Sequence, residues 1–511
     1  MDYHSILYTR SPAPSGDSQA ELPRDTVIDL NLGPVLESIV DGRDRDFLLS
    51  IYLNPPATKG EVRYRQEVFR DLEHEGLIGC AKRFHRQIER VHRYLHLAAR
   101  SPSQFYSRGW FFSAVAEYCD AVMCMFRSLR NASLKSRALR GLREQFTRYV
   151  KSDYFCSMRG KARDLAKPLD GVEYCLDIRG RTVEVRHFRG EPDYQKRVDS
   201  AFGDMSLEAS GDYVSTPARQ SPTSWLDEKI AEAVAQFYPG IFNEVGRFCD
   251  RYRDFLAPIV VEFDRELQFY ISYIDEMSRI ADRGLEFSIP EVVNCGDEFW
   301  AQGMFDLALA RVRTAEDEDV VTNDFHLGRG ERILMITGAN QGGKTTFARA
   351  FGQLHFFAAL GCPVPATGAR LKLCDTIFTH FEREEDLGRL RGKMEDDLLR
   401  IHDILERMTS DSLLIMNEIF TSATPMDELR LSRAILDQII DKDALGVWVT
   451  FLTELSQIDA SVVSMVAGVD PRDPSIRTFK IRRRTPDGMA YARSLAKKYG
   501  LAKEQIEDRI R

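Results

Sequence analysis

The run GANQGGKTT, Gly338–Thr346, constrains this chain more than any other stretch. It fits the pattern G-x-x-x-x-G-K-[ST], follows the apolar run ILMIT at 333–337, and opens a helical pattern that continues to about residue 360. Glycines let a backbone curl closely around phosphate oxygens. The N–H groups of such a loop, with the helix N-terminus behind it, supply positive potential. Gly338, Ala339, Asn340, Gln341, Gly342, Gly343, Lys344, Thr345 and Thr346 are therefore expected to hold the phosphates of ATP. Lys344 should reach the β- and γ-phosphates, and the Thr345 hydroxyl should ligate Mg²⁺.

A chain that hydrolyses ATP at such a loop needs a second strand ending in acid. SLLIMNE at 412–418 supplies it in altered form. The usual ending is Asp-Glu, and here it is Asn417-Glu418. Asn417 keeps an acceptor oxygen for the metal but lacks the full negative charge, so Mg²⁺ should be held more weakly. Glu418 is placed to polarise the attacking water. From about residue 300 the texture is α/β. ILMIT, SLLIMNE and GVWVTFL (446–452) read as buried parallel strands.

The preceding residues read differently. Residues 1–27 are rich in Pro, Ser and charge and are expected to be disordered. From about 28 to 165 apolar residues recur at helical steps, as in Phe84, Ile88, Val91 and Leu95. Two β-rich runs around Arg179-Gly180-Arg181 predict a hairpin, and residues 203–223 a loop. Residues 224–282 carry one long apolar stripe that Pro239-Gly240 and Pro258 should interrupt. The nine cysteines are scattered singly, which suits reduced thiols in a core better than a metal knuckle or redox pair. The most apolar segment, 110–126, contains Glu117 and Asp120, and no run of 18 apolar residues exists, so no membrane span is expected. The first residues lack the apolar stretch of a secretory signal, which points to a cytoplasmic protein.

Several of these segments together resemble the MutS family. The family has a similar order of events: a TGPNMGGKST loop, a helix, then a short G-x-x-V-P-A turn, here GCPVPA at 361–366. IFTHFEREEDL (377–387), NEIFTSATPMDEL (417–429) and VWVTFLTELSQI (447–458) look like its IFTR…DDL, DEI…GT…D and ATH…EL stretches. Ser494-Leu495-Ala496 and Tyr499-Gly500-Leu501 resemble its S-Y-G element. TNDFHL at 322–327 resembles a segment beside the adenine, which assigns Asn323 to ATP binding. GMFDLALA (303–310) and RYRQEVFRDL (63–72) resemble parts of the helical core and levers.

The chain departs from the family pattern at Asn417, at Phe451 where a γ-phosphate-sensing histidine would stand, and near Val320 where an aromatic would stack on adenine. The family's signature segment, which carries a serine acting across the dimer, has RLRGKMEDDL (389–398) as its nearest match, with Gly392 or Lys393 instead.

The resemblance implies a mostly helical core and lever domain over 28–300, then an ABC-type P-loop α/β ATPase domain over 301–511, without a mismatch-reading domain. It implies slow hydrolysis with Glu418 as the catalytic residue, Mg²⁺ on Thr345 and Asn417, homodimers paired through the ATPase domains, and DNA as a ligand. The net charge of −8 excludes a protein basic all over, but not a basic face. Arg137, Arg140 and Arg143, three apart, could share one helix face and contact phosphates without reading sequence. A second basic run, Arg477, Lys480, Arg482, Arg483 and Arg484, reads as a strand with an exposed face. The alternative reading is a catalytically weak switch in which ATP binding alone sets the conformation, or a protein-interaction module with no mismatch recognition.

Overall fold

The computed structural model describes residues 3–9, 22–56, 58–101, 103–180, 182–190, 223–293, 298–382, 392–470, 472–473 and 476–486. The S-Y-G-like element and most of the loop expected at 203–223 lie outside them, as do the last five residues of IFTHFEREEDL. Contacts divide the chain into two compact units that interleave in sequence. One comprises Met1–Glu75, Ser133–Gly141 and Arg265–Arg511, and the other Gly76–Ala132 and Leu142–Asp264. Periodicity alone suggests a single border near residue 300, because it cannot see which helices share a core.

The second unit is helical. Its long helices include Glu75–Arg100, Gln104–Asn131 and Asp153–Asp170. The helical stretch after residue 223 breaks where the prolines demand it, with new helices starting at Pro239 and Pro258. Phe248, Tyr252, Phe255 and Phe263 of the expected stripe are buried. Phe255 packs edge-on against Phe111 and Tyr118, and Phe263 edge-on against Phe146 and at a tilt against Phe84. The hairpin forms as β1 (Tyr174–Arg179) and β2 (Thr182–His187), with Gly180 at φ 59° in its turn. Cys80 and Cys124 approach to 3.6 Å between sulfurs, and the described cysteines are free thiols. Among the described residues, no helix is long and apolar enough to cross a membrane.

The first unit holds two sheets. A four-stranded mixed sheet orders β3 (Glu291–Val293), β7 (Gly368–Lys372), β4 (Phe299–Met304) and β5 (Asn323–Leu327). A six-stranded sheet contains β6 (Ile333–Gly338), β8 (Ile377–Phe381), β9 (Leu413–Asn417), β10 (Leu445–Val449), β11 (Val462–Val469) and β12 (Arg477–Arg483). Its order is β12-β11-β6-β10-β9-β8, parallel throughout except for β12. The three apolar runs of the sequence are thus three adjacent central strands. Both faces are covered, which is why these strands read as continuous apolar runs. Met335, Leu414, Met416 and Trp448 join Ile401, Ile404, Ile435 and Leu436 from helices Lys393–Arg407 and Pro425–Asp441. The alternate residue Ile415 faces Gly352 of helix Lys344–Ala359 on the other side.

Residues near the N-terminus build into this unit. Helix Arg24–Asp29 lies along the edge strand β8, where Thr26 Oγ1 donates to the Ile377 carbonyl and Thr379 Oγ1 to Asp29 Oδ2, both at 2.7 Å. Residues 3–9, expected as part of a disordered start, are ordered by buried partners far along the chain. Ser5 Oγ and the Ile6 N–H each donate to the Glu266 carboxylate at 2.7 Å. Arg65 donates to the carbonyls of Leu7 and Leu360.

Candidate nucleotide site

Parallel strands that end together leave a crevice at their carboxyl ends, and ligands of open α/β sheets bind there. The register aligns Ile336 with Val449, and Val449 with Asn417. The loop after β6, Asn417-Glu418 after β9, and Phe451 after β10 therefore leave the sheet at one edge. The loop is shaped by its glycines. Gly338 stands at φ 121°, and a Cβ there would come within 3.0–3.1 Å of Ala467 on β11. Gly343 stands at φ 87° as the residue before helix Lys344–Ala359, a conformation that L side chains rarely adopt.

Lys344 is buried and folded back onto its own loop. Its Nζ donates to the carbonyls of Gly338 (3.2 Å) and Ala339 (3.3 Å) and to Asn340 Oδ1 (3.4 Å). Glu418 Oε1 lies 3.7 Å away, and the Phe451 ring centroid 4.4 Å away. Burial lowers the Lys344 pKa, with Arg477 adding to the effect, while Glu418 opposes it. Thr345 Oγ1 donates to Asn417 Oδ1 at 3.0 Å. Glu418 itself holds φ 52°, fixed by its N–H bond to the Val449 carbonyl at 3.0 Å. Strain of this kind in a non-glycine residue costs on the order of 1–3 kcal/mol and gathers at functional sites.

These residues line a cavity of 530 Å³ that contains Asn340–Thr346 and Glu418. That volume lies within the range that takes a drug-sized ligand. Its other lining residues include Leu309, Val320, Val321, Asn323 and Phe479. Gly338, Ala339 and Asn417 are not among the lining residues; the first two frame the loop by accepting from Lys344, and Asn417 is the partner of Thr345. Asn323 is at the site, but its amide is spent on protein. Oδ1 accepts from the Ile481 N–H at 2.7 Å, and Nδ2 donates to the Phe479 carbonyl at 3.1 Å.

Mg²⁺ bonds of about 2.0–2.1 Å at right angles separate neighbouring oxygen ligands by about 3 Å. The Thr345–Asn417 oxygen pair has that spacing, so the donor set fits a magnesium ion.

Sequence reasoning missed Phe479 and Arg477. Both lie in the basic run, which forms β12 as expected. Arg477 Nε donates to the Asn340 carbonyl at 3.1 Å, and Arg483 pairs with Glu331. The third group of candidates lies on helix Arg137–Val150. Arg137 and Arg140 are exposed and Arg143 is half-buried. Arg137 is engaged by Glu67 at 3.2 Å and lies over the Tyr64 ring, and Arg140 Nε donates to the Ser136 carbonyl. Gly392 precedes helix Lys393–Arg407 at its N-terminus.

Residues 334–503 match the family model described as MutS domain V. Curated proteins named DNA mismatch repair protein MutS align over the same part. That of Caldanaerobacter subterraneus subsp. tengcongensis is 30% identical over 152 residues, 30% of this chain and 18% of the relative. That of Bacillus pumilus is 30% identical over 146 residues, 29% of this chain and 17% of the relative. That of Lawsonia intracellularis is 33% identical over 140 residues, 27% of this chain and 16% of the relative. The chain thus spans less than a fifth of the length of the relatives it matches.

Proposed function

We propose, on the premise that residues 334–503 make this a MutS-related chain with a MutS domain V, that it is an ATP-binding protein with slow ATP hydrolysis that drives a conformational change. The observation that carries this reading is the meeting of Lys344, Thr345–Asn417 and Glu418 at the carboxyl edge of one parallel sheet. The six-stranded sheet is read as an ABC-type P-loop core. Loop N–H groups and Lys344 hold the phosphates, which draws the ammonium off the Gly338 and Ala339 carbonyls. Mg²⁺, held by Thr345 and Asn417, would supply charge neutralisation on the phosphate oxygens. Glu418 orients the attacking water and accepts its proton.

Nucleotide binding then biases the conformation to the extent that ATP contacts one state better than the other. The wider reading takes DNA as ligand, after the relatives' name, with the face of Arg137, Arg140 and Arg143 as its contact; a cytoplasmic homodimer paired through its ATPase domains is carried over from the resemblance of the sequence segments alone. The specific observations of Asn417 and of Phe451 beside Lys344 favour a second reading, a switch that binds ATP with negligible turnover.

Steady-state phosphate release separates the two. Hydrolysis predicts Mg²⁺-dependent turnover that Glu418→Gln abolishes. Turnover at background, with or without DNA, leaves only the switch. Salt-dependent mobility shifts on duplex, mismatched and branched DNA test the ligand. The DNA reading fails if no form binds at low salt, or if reversing the charge of the three arginines changes nothing.

A further inference from the structure

The loop residues account for the phosphate-binding part of the cavity, and among the other lining residues there is one aromatic ring. Phe479 lines the cavity, is 47% exposed, and stands at φ 55°. A half-exposed phenyl group in a left-handed conformation is uncommon in the middle of a strand, and something must hold it there. The holder is Asn323, whose amide grips the strand on both sides, through the Phe479 carbonyl and the Ile481 N–H. Lys480 adds a bond from its Nζ to the Thr322 carbonyl. The Phe479 Cδ1 sits 3.7 Å from where a Cβ on Gly343 would be, so the ring begins where the loop ends. The aliphatic side chains of Val320 and Val321 line the same cavity.

We infer that Phe479 is the stacking platform for the nucleobase of the bound nucleoside triphosphate, and that Asn323 is a positioning residue that holds it rather than a reader of the base. This rests on the nucleotide reading of the same cavity. A flat π-face offset-stacks on a phenyl ring, and such contacts tolerate different bases because each has a face to offer. With the Asn323 amide committed to protein on both sides, the base is held by stacking and apolar contact.

The test compares Mg²⁺·ATP with Mg²⁺·tripolyphosphate, which has the phosphates and no base, by calorimetric titration of the full chain. Phe479→Ala should weaken ATP binding roughly ten- to a hundredfold and leave tripolyphosphate binding unchanged, while Phe479→Tyr keeps both. The retained tripolyphosphate binding also reports that the variant is folded. If Phe479→Ala binds ATP as the parent does, or loses both ligands equally, the platform is overturned while the phosphate site stands. If the parent chain binds neither ligand, the nucleotide reading fails and the platform with it.

Discussion

The Thr345 hydroxyl donates to the side-chain oxygen of Asn417 across 3.0 Å, joining the helix after the loop to the end of strand β9. An amide oxygen at this point still accepts that hydrogen bond, though more weakly than a carboxylate would, so the bond survives the loss of charge. What changes is the field at the metal. Asn417→Asp should therefore lower the Mg²⁺ concentration for half-maximal nucleotide binding by roughly tenfold, since an added unit charge a few ångströms from a cation is worth at least about 1.4 kcal/mol. A magnesium titration at fixed ATP checks this. An unchanged midpoint would place the metal away from residue 417.

Phe451 holds the Lys344 ammonium over its ring at 4.4 Å, a contact that a bound phosphate would have to displace. A cation–π pair at a half-exposed ring is worth about 0.5–1 kcal/mol. Phe451→Ala should thus strengthen ATP binding by roughly two- to fivefold, measured by calorimetry. Weaker binding would mean that the ring supports the nucleotide rather than competing with it.

Asp29 and Asp25 share one helix but differ in setting. Asp29 is buried and accepts from Thr379 Oγ1, whereas the Asp25 side chain is 42% exposed and pairs with Arg400. Asp29→Ala strands a buried hydroxyl and should cost about 2–3 kcal/mol in urea unfolding. Asp25→Ala should cost less than about 1 kcal/mol. Equal losses would deny helix Arg24–Asp29 its role as the cover of β8.

His355 lies fully buried on the helix after the loop. Its Nδ1–H donates to the Phe351 carbonyl at 2.9 Å, and its Nε2 has no hydrogen-bond partner. Burial lowers its pKa to about 4. The folded state thus refuses a proton that the unfolded chain accepts at about 6.5. The resulting stability is complete above about pH 6.5 and is lost as pH falls through about 4, some ~3 kcal/mol in all. His355→Phe should flatten the fall in unfolding free energy across that window. An unaltered slope would assign the acid sensitivity to other groups.

Much of the site was legible because its chemistry is local. The loop pattern specifies backbone geometry within nine residues, and continuous apolar runs mark strands covered on both faces. Pro239 and Pro258 start new helices, as their missing N–H requires. The parts that escaped are pairings between distant residues. Nothing near Glu266 announces that it will order Ser5 and Ile6, and nothing near Thr379 names Asp29. Phe479 escaped because the basic residues around it read as a solvated strand face, while its left-handed backbone depends on Asn323. Asn323 was placed at the nucleotide by likeness of segment; the cavity includes it, but its amide faces β12.

The central claim is that Lys344 and its loop bind Mg²⁺·ATP, and equilibrium titration of the full chain and of Lys344→Ala tests it most directly. Saturable binding by the parent chain that requires Mg²⁺ for full affinity is expected, with a loss of roughly a hundredfold in Lys344→Ala, as removal of a charge-assisted phosphate contact from a buried site implies. Binding that is absent in the parent at millimolar ATP, or equal in the two proteins, would contradict it.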